Sequence, residues 1–595
     1  MNSQRDEKLS PIKDENIGND SAIQHGAIVS DDGIKFSIWA PDALQVDVKF
    51  DDDNLHALNQ IGDGWFTKTI ETKRSIKYRF VIDNKLDVPD PASRAQVDDV
   101  TGWSSVVDHS EYVWKNESWK GRPWQEAIFY EMHVGILGGF AKVESTLSDL
   151  ATLGITAIEL MPINEFPGAR NWGYDGALPF APEHAYGTPD ELKSLIDTAH
   201  SLGIMVFIDV VYNHFGPVGN YLHEYAKGFF RDDIHTPWGA AIDFRRPQVR
   251  NFFIENAEMW IRDYRVDGLR LDAVHAISEK DFLVEFAERV RAAAPNRHIH
   301  LVLENEDNSA ALLEQGFNAQ WNDDAHNVLH AILTNEEESY YSNYVDSQTE
   351  KLARYLAEGF IYQGEKSHRG QHRGEPSGHL SPTSFVVFLQ NHDQVGNRAF
   401  GERLIELADE NAVKSAAALT ILSPMIPLLF MGEENGSRQP FYYFTDHPPE
   451  MADLVRDGRR NEFSDLAAFK SEEMRNNIPD PNHLNTFINS IVDCASDYDS
   501  AWRAFYKNLL TIRYQEIIPR LTNVRCEGAT IIGDRAVVVS WKMSDGSVLT
   551  IALNLSNEPV DYEDEKFDGR LIFSNGCKDA DENALPPGSI KVFIS

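Results

Sequence analysis

Cysteine is almost absent from this 595-residue chain. The three that occur, Cys494, Cys526 and Cys577, form no CxxC pair and keep no company with closely spaced histidines, so the sequence supports neither a disulfide framework nor a zinc site. Long apolar runs are missing as well. Nothing approaches the roughly 18 consecutive apolar residues of a membrane span, and the opening stretch MNSQRDEKLSPIKDENIGND lacks the apolar core of a secretory signal. The expectation is a cytoplasmic protein with reduced thiols. Positive charge is scarce: 55 Lys and Arg stand against 93 Asp and Glu, a formal net charge of -38. Such a surface repels phosphate backbones and anionic headgroups, which argues against nucleic acid and membrane as partners and leaves a neutral substrate as the better fit. Acidity alone reports on solubility before function. The Asp- and Asn-bearing loops show no EF-hand spacing, and neither a metal nor an organic cofactor is expected.

What is present reads as an ordinary globular composition, 42% hydrophobic and 25% charged, in a chain too long for one core. Residues 1–22 are polar and aperiodic, the composition of a disordered tail. Over residues 23–115 the runs Lys35–Ala40, Val46–Phe50 and Lys77–Ile82 alternate with period two, which predicts an N-terminal β-sandwich. From 116 to 520 the pattern changes to short apolar runs separated by amphipathic segments, the grammar of βα units. Eight runs are candidate strands: Ala127–Val134, Ala157–Leu160, Val206–Val211, Leu269–Val274, Ile299–Glu304, Phe317–Asn322, Ser384–Asn391 and Ile426–Met431. Between them, Thr188-Pro189-Asp190-Glu191 is a capping box with proline at the first helical position, and Val249, Phe252, Phe253, Trp260, Ile261 and Tyr264 recur at helical spacing. Residues 521–595 return to alternation and predict a C-terminal β-sandwich. The fold class expected is therefore α/β, a (β/α)8 TIM barrel flanked by two β-domains.

Barrels of this kind carry their chemistry at the C-terminal strand ends. Here those ends hold Asp209, Asn213 and His214, then Arg270, Asp272 and His275, then Glu304, then Trp321 and Asp323, then Asn391, His392 and Asp393. Singly, each has a duller reading: an Asp after a strand is usually a helix cap, and a His is usually a hydrogen-bonded core residue. Their coincidence at successive strand ends reverses those odds. Hydrolysing an acetal near neutral pH takes one protonated carboxyl group to assist the leaving oxygen and one ionised carboxylate to meet the cationic sugar. Arg270, two residues before Asp272, shares its face of the strand and would keep Asp272 ionised, whereas burial and the like charge of Asp393 would keep Glu304 protonated. Glu306 is an alternative to Glu304, but Glu304 directly follows the apolar run and so reaches the barrel mouth.

The blocks Asp209-Val-Val-Tyr-Asn213-His214, Gly268-Leu-Arg270-Leu-Asp272-Ala-Val-His275, Glu304 and Asn391-His392-Asp393 resemble the four shared motifs of glycoside hydrolase family 13, the α-amylase superfamily, over about residues 125 to 520. The resemblance implies a retaining hydrolase with Asp272 as nucleophile, Glu304 as general acid/base and Asp393 as the carboxylate that stabilises the transition state. It further implies that Tyr174 stacks on the sugar in the cleaved subsite and that His214, Arg270, His275 and His392 hold that ring or the nucleophile. Phe388–Arg398, Gly401–Arg403, Phe441–His447 and Gly458–Phe463 are similar to members of the family that release trehalose from a maltooligosyl chain. That likeness implies maltooligosyl trehalose, or a related α-glucan, as substrate, with the protein a monomer or homodimer. Trp238 and Arg403 are the candidates for the acceptor side. Two other readings stand beside it: a glycogen branching or debranching enzyme of the same superfamily, and a carbohydrate-binding protein without catalysis. The first barrel loop, His133–Phe140, departs from the family pattern and leaves one cleft wall undetermined.

Overall fold

The computed structural model describes residues 23–237, 239–367, 370–492, 499–561, 569–577 and 584–595; the predicted N-terminal tail, Trp238 and Cys494 lie outside them. Alternation becomes antiparallel sheet at the start of the described chain. One sheet runs in the order Gly26–Ser30, Gly33–Trp39, Trp65–Ile70, Asn59–Gly62, and a second is built from Leu55–Ala57, Val46–Phe50, Lys77–Ile82 and Leu86–Val88, with Ser104–Ser105 on Lys77–Ile82. Phe36 and Ile38 of the first sheet and Val46, Val48, Tyr78 and Phe80 of the second are all buried, as period-two residues on facing sheets must be.

The expected eight strands close into a parallel barrel among the described residues, in sequence order: β1 (Phe129–Met132), β2 (Ala157–Leu160), β3 (Met205–Val210), β4 (Gly268–Leu271), β5 (His300–Leu303), β6 (Ala319–Trp321), β7 (Phe385–Val387) and β8 (Ile426–Phe430). Parallel strands covered on both faces are apolar along most of their length, which is why they read as runs rather than alternations. Most are shorter than the runs that announced them, because the apolar sequence continues into buried connections after ladder pairing has ended. At β4 the ladder stops at Leu271, and Ala273 takes a left-handed backbone, φ +42°, turning the chain one residue after Asp272.

Helix α1 (Pro189–Ser201) begins at the predicted cap: the Thr188 hydroxyl accepts from Glu191 N–H at 3.2 Å and Glu191 Oε2 accepts from Thr188 N–H at 2.7 Å. It buries Leu192, Leu195, Ile196 and Ala199 against the barrel. Helix α2 (Pro247–Arg262) ends sooner than the apolar spacing implied, so Tyr264 lies beyond its cap at Asp263, still fully buried. The barrel interior is filled by Phe129, Ala157, Phe207, Val302, Trp321 and Leu428, so the centre is packed and the mouth alone is open to chemistry. After the barrel, buried Arg513 donates to the carbonyls of Ile421, Ser423 and Met425 at 2.7 to 2.8 Å and fastens the last helical segment to the turn before β8. The C-terminal β-domain is an antiparallel sheet in the order Arg525–Gly533, Ala536–Lys542, Val548–Asn554, Ser589–Ile594, Arg570–Asn575, with a short pair of Val560–Asp561 and Ala584–Leu585 beside it. No described helix is long and apolar enough to cross a membrane.

The floor of the barrel is clasped by Asp267, immediately before β4. Its carboxylate accepts from Val206 N–H (2.9 Å), Trp119 Nε1–H (2.8 Å), Arg297 Nη2 (3.0 Å) and the His200 ring (2.9 Å). Burial alone would raise this carboxyl; the His200 ring, the Arg297 guanidinium and the Val206 N–H outweigh it and bring the pKa down to about 2. An acid depressed in the folded state lends stability above its unfolded pKa and loses it as pH falls through the folded value. Asp267→Asn should therefore cost about 2 kcal/mol or more at pH 7, the gap to the parent closing between about pH 4 and pH 2 in urea unfolding curves. A gap independent of pH would show that Asp267 acts only through packing.

Candidate active site

The polar residues that open the barrel mouth converge on one guanidinium. Arg270 at the end of β4 is fully buried; its Nη1 donates to Asp209 Oδ1 and Oδ2 at 2.9 and 2.8 Å and to Asp272 Oδ1 at 2.7 Å, while Nη2 lies 3.7 Å from Glu304 Oε2. Pairing of β3 with β4 sets Asp209 opposite Arg270, so the first contact follows from ladder register. Pairing of β4 with β5 sets Leu271 opposite Leu303, so Asp272 and Glu304 leave their strands side by side. Ala273 N–H donates to Glu304 Oε2 at 2.5 Å, tying the two strand ends directly. The Arg270 guanidinium lies over the Trp321 ring, 4.2 Å from its centroid, which holds it flat across the mouth.

A second chain of contacts comes round the other side. The Glu131 carboxylate at the end of β1 accepts from His392 Nδ1 at 2.5 Å and from His392 N–H at 3.0 Å. His392 Nε2 lies 2.7 Å from the Tyr174 hydroxyl, which donates to Asp209 Oδ2 at 2.6 Å, and 3.5 Å from Asp393 Oδ2. Burial would push the His392 ring down; the charges of Asp393 and Glu131 override it and raise its pKa to about 9, so the ring is a cation that donates from both nitrogens. Asp393 also accepts from Asn397 Nδ2 at 3.0 Å and is the most open of the three predicted carboxylates, its side chain 39% exposed against 12% for Asp272 and 18% for Glu304.

Tyr174 is carried by a loop that the sequence makes rigid. Gly173 has φ +104°, and a Cβ there would lie 2.1 Å from the Pro162 carbonyl oxygen, so only glycine allows the close approach. Asn171 Oδ1 accepts from Gly173 N–H at 2.8 Å, and Trp172 stacks on Phe441 while donating to the Tyr442 carbonyl at 2.9 Å. His214 Nε2 meets the Tyr174 carbonyl at 3.0 Å, and burial lowers its pKa, leaving a neutral ring. In the unfamiliar first loop, a short helix over Val134–Leu137 ends in Gly138 and Gly139, both at positive φ, and His133 accepts from Ile136 N–H as its cap.

Glu304 directly follows β5, beside Asp272. Burial pushes its carboxyl well above the usual carboxylate range; Arg270 opposes this, and the negative charges of Asp272, Asp323 and Asp393 reinforce it. Glu306, by contrast, is exposed on the loop, its N–H directed at His275 Nδ1 (3.3 Å) and its carbonyl accepting from Arg373 Nε (2.7 Å). The structure thus gathers Asp272, Glu304, Asp393, Tyr174, His214, Arg270 and His392 at the mouth, with His275 at its edge. Arg403 is elsewhere: it is 1% exposed, donates to the carbonyls of Gln439 and Met431 at 2.7 and 2.9 Å, and stacks on Phe430, so its charge serves the packing behind β8 rather than the acceptor side. Trp238, the other acceptor-side candidate, falls outside the described residues. Glu131 and Asp209 complete the site without having been assigned a binding role; the available signal was a lone acid inside each of two apolar runs.

One group among the described residues has metal-ligand geometry, Glu165, Glu183 and His184. Its atoms are already matched. His184 Nδ1 lies 2.7 Å from Glu165 Oε1 and 3.1 Å from Glu183 Oε1; hydrogen bonding to those two groups raises the ring to about 10 while burial raises Glu165 to about 8, so the cluster is held by its own hydrogen bonds.

Comparison with known proteins agrees with this geometry. The alpha amylase catalytic domain model matches residues 114–238, and a domain of unknown function, DUF3459, matches residues 525–592. A closed parallel barrel whose strand ends bring acids, a buried arginine and a stacking tyrosine together, with that match on its first half, defines a glycoside hydrolase of the α-amylase class. Malto-oligosyltrehalose trehalohydrolase from Saccharolobus solfataricus is 39% identical over 82% of this chain and 86% of its own length, and that from Deinococcus radiodurans 36% identical over 84% and 83%. A solved structure from Salmonella typhimurium, described as an alpha amylase, superposes with TM-score 0.89 at 40% identity over 96% of this chain and 99% of that one. A pullulanase from Anoxybacillus, 17% identical with TM-score 0.71 over 97% of this chain and 88% of its own, shares the fold. The chain belongs to the malto-oligosyltrehalose trehalohydrolase family.

The charge on His392 has a measurable signature. A histidine raised in the folded state contributes stability that is complete below its unfolded pKa and is lost as pH rises through the folded value. His392→Asn should therefore destabilise most below about pH 6.5, with the difference from the parent shrinking as pH passes through about 9, followed by thermal midpoints. A constant difference across that range would mean the ring is neutral.

Proposed function

We propose that Asp272, Glu304 and Asp393 hydrolyse the α-1,4 bond next to the trehalose unit of maltooligosyl trehalose by double displacement, releasing trehalose. In the first step Glu304 gives its proton to the glycosidic oxygen. The bond from that oxygen to the anomeric carbon breaks, and the Asp272 carboxylate closes on the carbon to form a glycosyl ester. Arg270 holds Asp272 by a hydrogen bond of 2.7 Å in line with Asp209, so the nucleophile is oriented before substrate arrives. In the second step Glu304, now a carboxylate, takes a proton from water, the water oxygen bonds to the anomeric carbon, and Asp272 leaves as a carboxylate with configuration retained. Asp393 faces the ring from the β7 side and meets its hydroxyls and the positive charge that develops in the transition state. Tyr174 supplies a flat face for the sugar, and His392 and His214 border it.

The observation that carries this reading is the shared guanidinium: one buried charge touches Asp272 directly and Glu304 at longer range, and burial with the like charges around it raises the Glu304 carboxyl. The trehalose end rests on the trehalohydrolase relatives, which match at 39 and 36% identity across most of the chain.

Maltotriosyltrehalose should be converted to trehalose and maltotriose. New α-1,6 bonds in amylose without free trehalose would instead identify a branching enzyme. Asp272→Ala should lower kcat by at least about 10³-fold, as loss of a covalent nucleophile does, while unfolding stays cooperative. Residual activity near the parent level, measured by trehalose release, would remove the nucleophile assignment.

A further inference from the structure

Helix α3 (Asp323–Thr334) opens with two aspartates that do opposite things. Asp324 is fully buried and spends its carboxylate on structure: it accepts from Asn308 Nδ2 (2.9 Å), Ile361 N–H (2.7 Å), Tyr362 N–H (3.1 Å) and the Tyr344 hydroxyl (2.5 Å), with Arg373 at 3.2 Å. That clasp fixes the start of the helix. Asp323 is therefore rigidly presented, yet the hydrogen bond described for its carboxylate is a long one, 3.5 Å to Gln394 Nε2 of the residue after Asp393. It is partly exposed at the end of β6. An aspartate at a helix start has an ordinary use in meeting the helix dipole. Here the same group is also held beside Asp393 and close enough to Glu304 to act on its charge.

Order round the rim gives its position relative to the other acids. Asp272 leaves β4, Glu304 β5, Asp323 β6 and Asp393 β7, whereas Tyr174 and His214 stand at β2 and β3, across the mouth from β6. The ring that bonds to Asp272 lies on the Tyr174 side. The departing sugar, whose oxygen Glu304 protonates, must lie on the other. We propose that Asp323 is a specificity-determining residue of the leaving-group subsite, its carboxylate accepting hydroxyl hydrogen bonds from the α,α-linked disaccharide as it departs. The inference rests on the hydrolytic reading above and gives its substrate selection a residue.

The charged neighbours of Asp323 are Arg373, Asp393, Asp324 and Arg270, with Glu304 beyond. Burial, opposed by Arg373 and reinforced by Asp393 and Asp324, raises its pKa to about 7, so above that pH it adds negative charge beside Glu304. Removing that charge lowers the Glu304 pKa and brings the alkaline limb of the kcat/KM profile to lower pH. An unmoved limb would place the Asp323 charge too far from Glu304 to border the leaving oxygen.

The test compares Asp323→Asn with the parent on maltotriosyltrehalose and on maltopentaose, which has the same number of rings without the α,α end. Above about pH 7, where the Asp323 carboxylate is charged, loss of this acceptor should reduce kcat/KM on the trehalose-capped substrate roughly 10- to 100-fold and on maltopentaose less than about 3-fold, with the alkaline limb displaced downward. Asp323→Glu should recover part of the loss. Equal losses on both substrates, or an unmoved limb, overturn the proposal. As a second measurement, trehalose is titrated calorimetrically into Asp272→Ala and into Asp272→Ala/Asp323→Asn, both checked for folded dichroism. Weaker binding in the double variant supports the subsite; equal binding defeats it. If the parent itself releases no trehalose, the hydrolytic reading fails instead, which separates the two.

Discussion

The site depends on keeping one guanidinium charged in the interior of a barrel. Arg270 is 0% exposed, and a buried cation is tolerated only when opposite charge meets it at hydrogen-bond distance. Asp209 and Asp272 supply that charge at 2.7 to 2.9 Å. From this pair the rest extends as a line of alternating sign, Asp272, Arg270, Asp209, then the Tyr174 hydroxyl, the His392 cation and Glu131. Breaking one partner of a buried pair costs about 3–5 kcal/mol because the other charge stays behind, so the members hold each other in place. Glu159 of β2 marks the limit of the line. Both its carboxyl oxygens are without a hydrogen-bond partner among the described residues, and burial, with the charges of Glu131 and Asp209, pushes it far up into the neutral form.

The same arrangement separates two chemically similar carboxyl groups. Asp272 touches the guanidinium; Glu304 is 3.7 Å from it, accepts from Ala273 N–H, and faces burial and three like charges. A difference of about an ångström in reach to one cation, together with the crowding of Asp272, Asp323 and Asp393, gives the two groups different surroundings and leaves the Glu304 carboxyl raised.

Much of this was legible in the residues. Eight apolar runs located eight barrel strands because a parallel sheet covered on both faces is built mainly from apolar residues, and the polar residues that cluster at or just after the end of most runs mark the C-terminal ends. Asp272, Glu304 and Asp393 were readable for that reason. What was not legible depends on geometry across strands. The pairing of Asp209 with Arg270 is a matter of register between β3 and β4, and the Glu131–His392 contact joins residues 261 positions apart. Arg403 misled because an arginine at a strand-end loop can turn either to the cleft or to the packing, and here the carbonyls of Met431 and Gln439 captured it. The strand lengths were overestimated because apolar composition reports burial, and burial outlasts the ladder.

Whether Asp272, held by the Arg270 charge, is the residue that bonds to sugar can be read by trapping the ester. The enzyme is incubated with a 5-fluoro-α-glucosyl fluoride, which forms the ester and hydrolyses slowly, and the digested peptides are weighed by mass spectrometry. The account predicts one added fluoroglucosyl group on the peptide containing Asp272, and none in Asp272→Ala. A label on Glu304 or Asp393, with Asp272 unmodified, would contradict it.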